Sequence, residues 1–187
     1  MEDNFHSTTI CAVRDKDGVT MIGDGQVTGY GSVVIKGNAK KVRRIYNDSV
    51  VVGFAGSVAD CFALVEKFEA KLEKNSGDVV KSAVDMAKDW RQDKYMRMLQ
   101  ASLIITDGSR IINMDGSGVV IDVEENVCAI GSGGMFALSA ALGIIRTLEQ
   151  DNKEFDASEV AKNAMEIASD LCVFTNKNFV IERINKV

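Results

Sequence analysis

The run Val50-Val51-Val52-Gly53-Phe54-Ala55 is apolar throughout, interrupted only by one glycine. A strand with one solvated face alternates apolar and polar residues, whereas an unbroken apolar run suits a strand covered on both faces. The run therefore predicts the interior of a sandwich, with one layer of structure on each side of its sheet. The rest of the chain must supply those layers.

Before the run, residues 9–13 and 19–23 are apolar and joined by Arg14-Asp15-Lys16-Asp17-Gly18, whose Asp-Gly ending signals a hairpin. Residues 27–37 are dotted with glycine and read as a loop with an irregular strand. Residues 41–45 then pair with 50–55 across Tyr46-Asn47-Asp48-Ser49. After the run, Ser57 with Asp60 three positions on reads as a helix N-cap. Its helix carries Cys61, Leu64, Val65, Phe68 and Leu72 on one face and Glu66, Lys67, Glu69 and Lys71 on the other. Asn75-Ser76-Gly77 ends that helix, and Asp78 caps a second whose inward stripe reads Val80, Ala83, Val84, Ala87 and Trp90.

Strand texture returns at residues 102–106, 110–114, 119–122 and 127–130, with turns at Asp107-Gly108 and Asp115-Gly116. Residues 135–148 are apolar around most of a helical circumference, so they are expected to be buried. Asp156-Ala157-Ser158-Glu159 opens a last helix with Val160, Ala161, Ala164, Ile167, Ala168 and Leu171 inward, and residues 179–184 close the chain as a strand. This order predicts two antiparallel sheets packed face to face with a helix pair outside each. At 187 residues and 46% hydrophobic, a single domain can bury such a core without staples.

Charge and composition narrow the function. A net charge of −5 argues against non-specific nucleic-acid binding. The one basic cluster, Lys40-Lys41-Val42-Arg43-Arg44, sends cations to both faces of a strand, as a solvated edge does. Cys11, Cys61, Cys128 and Cys172 form no CxxC pair and read as buried thiols of a reducing compartment. No apolar stretch approaches the ~20 residues that span a bilayer, and Met1–Ser7 lacks a signal pattern. A cytosolic protein with no membrane contact is expected.

The only histidine is His6, upstream of the first strand, so histidine-based triads are excluded. Hydrolytic chemistry then needs a lysine, a carboxylate or an α-amine as base. Ser7-Thr8-Thr9 heads the first strand. Removal of residues 1–7 would give Thr8 both a hydroxyl nucleophile and a free α-amine titrating near ~7.7–8.0. Ser7 and Thr9 are the rival first residues, with Ser7, a hydroxyl residue at the boundary, the stronger of the two. Antiparallel pairing brings Asp24, at the far end of the second strand, towards Thr8, although an aspartate between glycines also suits a turn. A second reading takes Gly131-Ser132-Gly133-Gly134 as a phosphate cradle at a helix start, with neither GxGxxG nor P-loop spacing to support it. A third is a non-catalytic scaffold that never exposes Thr8.

Thr8-Thr9-Ile10, Gly23-Asp24-Gly25-Gln26-Val27-Thr28, Lys36-Gly37-Asn38-Ala39-Lys40-Lys41-Val42-Arg43-Arg44, Gly53-Phe54-Ala55-Gly56, Ala129-Ile130-Gly131-Ser132-Gly133-Gly134 and Cys172-Val173-Phe174-Thr175-Asn176 occur in this order. Together they resemble the HslV (ClpQ) family of proteasome-like peptidases, N-terminal-nucleophile hydrolases, over nearly the whole chain from Thr8. The resemblance implies an α+β fold, a four-layer αββα sandwich, assembled as two stacked hexameric rings. It implies residues 1–7 as a propeptide, cleaved after Ser7, and residues 8–187 as the peptidase domain. Thr8 matches the nucleophile, with Asp24 and Lys41 beside it. Lys41 is preferred over Lys40 because it directly precedes the Val-Arg pair and strand alternation turns only one of the two inward. Gly56 matches the oxyanion-hole N–H, and Ser132 and Asp170 match supporting polar residues. For Ser132 a helix cap is the alternative. Ser169, Cys172 and Thr175 match a sodium site made of backbone carbonyls; no cofactor is required for the chemistry. The chain has no Walker motif, so the resemblance implies an HslU-type AAA+ ATPase ring as partner, unfolded proteins as substrates and the bacterial cytoplasm as location. Gly29-Tyr30-Gly31-Ser32 is one residue longer than in many relatives.

Overall fold

The computed structural model describes residues 8–56, 58–94 and 101–186, with the backbone alone at 58, 59 and 62. The expected propeptide, including His6 and Ser7, and the expected N-cap Ser57 lie outside the described residues.

Two antiparallel sheets and a small hairpin carry the strands. The first sheet has the order β10-β1-β2-β11, from β1 (Thr9–Arg14), β2 (Gly18–Gly23), β10 (Val127–Gly131) and β11 (Val180–Asn185). The second has the order β5-β6-β7-β8-β9, from β5 (Val42–Ile45), β6 (Val50–Gly56), β7 (Ala101–Thr106), β8 (Ile111–Asp115) and β9 (Val120–Asp122). The glycine-dotted stretch forms the hairpin of β3 (Val27–Gly29) and β4 (Val33–Lys36), turned at Tyr30 and Gly31 with φ of 52° and 78°. The helices are α1 (Val58–Lys74), α2 (Val79–Gln92), α3 (Gly134–Gln150) and α4 (Ala157–Leu171).

The all-apolar run behaves as its composition requires. Val50, Val52 and Phe54 of β6 join the core against α1 and α2, with Phe68 and Trp90. Val51 and Ala55 point the other way, into the inter-sheet core with Ile10, Ala12 and Met21. Gly53 sits where the two sheets pack closely: a Cβ there would come within 2.6 Å of Ile10 Cγ2 and Met21 Sδ. A third core joins Cys11, Val13 and Ile22 of the first sheet to α3 and α4. Three cores separate four layers, the αββα sandwich expected from the sequence.

Several helical expectations need correction. On α2 the buried residues are Val79, Ser82, Ala83, Met86, Ala87 and Trp90, while Val84 is 39% exposed. On α4 Met165 is buried, whereas Ile167 and Leu171 are exposed. On α3 only Gly134, Ala137, Ala141 and Ile145 are buried, and Met135 is 69% exposed. The cause is common to all three. Each helix meets its neighbours along a narrow stripe, rich in small residues on α3 and α4, so apolar residues off that stripe remain outside it. The cysteines match expectation: all four are free and buried, and burial pushes the Cys11, Cys61 and Cys128 thiols up to about 12.

Candidate active site

The β1–β2 register sets Ile10 opposite Gly23, so the next residue, Asp24, faces Thr9 at the open end of the pair. There the main chains still bond, Asp24 N–H donating to Thr9 O at 3.1 Å. The Asp24 carboxylate returns the contact by accepting Thr9 N–H at Oδ1, 2.8 Å away. On the other side β10 sets Gly131 opposite Thr9, and Ser132 N–H donates to Thr8 O at 2.8 Å. Gly131 adopts a φ of +88°, and a Cβ there would lie 1.9 Å from Thr8 O, so a glycine is required at this position. The Thr9 hydroxyl accepts Gly133 N–H at 2.9 Å and shares a 2.7 Å hydrogen bond with the Thr175 hydroxyl. Thr9 is thus held on both sides by its main chain, and Thr8, bonded through its carbonyl to Ser132 N–H, is 6% exposed.

Asp24 is fully buried and receives four donors: Thr9 N–H and Lys41 Nζ at Oδ1, Gln26 N–H and Asn176 N–H at Oδ2. Lys41, 2% exposed, reaches Oδ1 at 2.9 Å and also donates to the Gln26 carbonyl. Lys40 is exposed, so alternation does send only one of the pair inward. Burial drives the Lys41 pKa below its ordinary value, and the attraction of Asp24 offsets this only in part. Because Thr9 N–H and Lys41 Nζ converge on one carboxylate oxygen, the ammonium lies within one residue of Thr8.

The other candidates are placed unevenly. Gly56 ends β6 with a φ of +135°, and its neighbour Ala55 packs against the Gly131 turn that holds Thr8. Ser132 is exposed, and the cap of α3 is Gly133 with no side-chain cap bond, so the helix-cap alternative for Ser132 is overturned. The phosphate-cradle reading fails for a related reason. Ser132 and Gly133 spend their amides on Thr8 and Thr9, and β10 runs antiparallel to its neighbour. The Asp170 carboxylate is exposed and paired with Lys177 at 2.6 Å. Ser169, in the last turn of α4, bonds its hydroxyl back to Glu166 O, and the carbonyl of the C-cap Cys172 accepts Thr175 N–H at 3.0 Å. Helix-end carbonyls lack intrahelical partners, and a set of neutral oxygens suits a hard monovalent cation, so the donor chemistry fits sodium.

Sequence reasoning did not single out Gln26 and Asn176 as partners of Asp24. Both act through main-chain N–H groups, which leave no residue-type signal.

Comparison with known proteins places this geometry. The family model for proteasome subunits matches residues 4–184. The ATP-dependent protease subunit HslV of Enterococcus faecalis (strain ATCC 700802 / V583) is 54% identical over 98% of this chain and 100% of its own length. That of Caldicellulosiruptor saccharolyticus is 48% identical over 95% of this chain and 98% of its own. The crystal structure of eukaryotic HslV from Trypanosoma brucei superposes with a TM-score of 0.88 at 42% identity, over 95% of this chain and 99% of that one.

Proposed function

The chain belongs to the proteasome-subunit family, and from that premise we propose that it is the threonine-type endopeptidase subunit of an ATP-dependent protease, with Thr8 as the nucleophile. The observation that carries the reading is the convergence of Thr9 N–H and the buried Lys41 ammonium on Asp24 Oδ1. It sets a fixed cation beside the residue whose α-amine must accept a proton. A nearby positive charge disfavours protonation of that amine, leaving it neutral and basic. The Thr8 hydroxyl then attacks a peptide carbonyl while the amine takes its proton and passes it to the departing amine; water hydrolyses the resulting ester. The Gly56 N–H stabilises the developing oxyanion, and the Ser132 hydroxyl supports the nucleophile. Asp170 supports the site from outside, through its ion pair with Lys177 next to Asn176.

Residues 1–7 must leave before Thr8 has an amine. The intact mass of purified active protein should correspond to a chain starting at Thr8. A chain starting at Ser7, or active protein retaining Met1–Ser7, would overturn the assignment. Thr8→Ala should assemble and hydrolyse no peptide.

The subunit works as two stacked hexameric rings in the bacterial cytoplasm, fed with unfolded proteins by an HslU-type AAA+ ATPase ring. In support, the bacterial relatives are named as ATP-dependent, and this sequence has no Walker motif of its own. Among the described residues no helix is long and apolar enough to cross a membrane. Carbonyls of Ser169, Cys172 and Thr175 hold a sodium ion that stiffens the turn after α4. Raising sodium at constant ionic strength should raise the thermal midpoint, and an unchanged midpoint would remove the ion from the account.

A further inference from the structure

The Asp24–Lys41 pair joins the two sheets at the ends of their ladders. Asp24 follows the last residue of β2, and Lys41 precedes the first residue of β5. Each still bonds to the neighbouring strand of its own sheet, Asp24 N–H donating to Thr9 O and Lys41 O accepting Phe54 N–H, both at 3.1 Å, and the ion pair between them is 2.9 Å. Those bonds tie each residue to its own sheet, and side-chain bonds between the loop after Asp24 and the loop before Lys41 add a direct tie across the two.

We propose that Asn176 is the positioning residue for this pair, its side chain clamping the Asp24 loop to the loop that leads to Lys41; the proposal rests on the peptidase reading above. Asn176 lies between α4 and β11. Its Oδ1 accepts Gly25 N–H at 3.1 Å, its Nδ2 donates to Gly37 O at 2.9 Å, and its own N–H reaches Asp24 Oδ2 at 3.3 Å. One amide therefore binds the residue after Asp24 and a residue four before Lys41. The clamp is itself braced: Asn178 N–H donates to Asn176 Oδ1 at 3.1 Å, and Asn178 Nδ2 donates to Gly37 O at 2.7 Å.

The packing leaves little slack. Ala39 N–H donates to Gly25 O at 2.9 Å, and a Cβ on Gly25 would stand 2.5 Å from Gly37 O and 3.0 Å from Asn178 O. Three main-chain segments thus meet directly, and Asn176 is the side chain bonded to all of them. The role needs an acceptor and a donor on one short planar group, which aspartate cannot supply at neutral pH. The Asn176 side chain bonds to Gly25, Gly37 and Asn178. Its effect travels through Asp24 and Lys41, where a displacement of about 1 Å is enough to cost on the order of 100-fold in rate.

The test uses the assembled peptidase with its ATPase partner and a short fluorogenic peptide. Asn176→Ala should lower kcat at least tenfold with KM within twofold, at unchanged sedimentation and with rates normalised to folded protein. Asn176→Asp keeps the shape and the acceptor arm but loses the donor to Gly37, so its kcat should fall with the same KM signature; it decides the matter if the alanine variant fails to fold. Unchanged kcat in either folded variant, or a fall matched by an equal rise in KM, overturns the proposal. Thr8→Ala runs alongside. If Thr8→Ala hydrolyses the peptide as fast as the unaltered protein, the peptidase reading fails. If Thr8→Ala is inert while the Asn176 variants keep full kcat, the positioning role alone fails.

Discussion

Lys41 is the residue on which stability and chemistry pull in different directions. Burial lowers its pKa, so between that lowered value and the ordinary ~10.4 the unfolded chain holds a proton that the folded chain has released. Stability linked to Lys41 therefore rises as pH climbs through this window. Catalysis needs the charged form and must fall over the same range. Measured from pH 7 to 10.5, kcat should decline before the ordinary lysine value is reached, while the urea midpoint of the unaltered protein gains on that of Lys41→Met. A kcat that holds through this window would remove the ammonium from the mechanism. At neutral pH Lys41→Met should abolish hydrolysis and cost about 3 kcal/mol, the low end for breaking a buried pair, because Asp24 keeps three N–H donors. Hairpin register made the approach of Asp24 to the start of β1 legible in the sequence, and strand alternation that only one of Lys40 and Lys41 turns inward; the family resemblance picked out Thr8 and Lys41. Asn176 was not legible, since which loops meet is decided by packing. Asp170 pairs with Lys177, an exposed cation that the sequence does not mark as its partner.

Among the elements, the β1–β2 hairpin shows how much a turn motif leaves out. Asp17-Gly18 identifies the turn, but Asp15 ties it to the rest of the molecule. Its carboxylate accepts Asp17 N–H and Gly18 N–H within the turn, Ala157 N–H at the start of α4, and both terminal nitrogens of Arg183 on β11 at 3.0 Å. Burial would raise the Asp15 pKa, and the Arg183 pair with the N–H donors outweighs it, holding the group below its ordinary value. A carboxylate with a lowered folded pKa contributes stability above its unfolded value, ~3.9, and loses it as pH falls through the folded one. Asp15→Asn should cost about 2 kcal/mol at pH 7, as expected for charge-assisted bonds, and the two proteins should converge in acid. Urea midpoints from pH 7 down to 2.5 test this, and a gap constant with pH would mean that the charge is not the cause. Element order and most boundaries were readable from periodicity and caps. The inward stripes of α2 and α4 were read partly off the true face, because apolar residues flank those stripes and only packing selects among them.

For the whole molecule, the α3 expectation was right about its apolar composition and wrong about burial within the chain. Its apolar circumference is real, yet within one chain α3 buries only a stripe of small residues, leaving Met135 and Phe136 at 69% and 42% exposure. Leu171 and Val173, at 61% and 80%, and all of β4 are exposed as well. Scattered apolar residues are ordinary on a surface, whereas several elements each showing an apolar side are what an interaction surface provides. The proposed double ring supplies the cover from other copies of the same chain. Burying a side chain the size of Met or Phe contributes about 1.5–3 kcal/mol, and a two-fold contact between copies counts each substitution twice. Met135→Glu combined with Phe136→Glu should therefore leave the subunit folded by circular dichroism but shift sedimentation towards smaller species. Peptide hydrolysis should fall with the loss of assembly. If the double variant sediments unchanged, the exposed end of α3 faces solvent in the assembly, and the contacts between copies must be sought on β4 and the turn after α4.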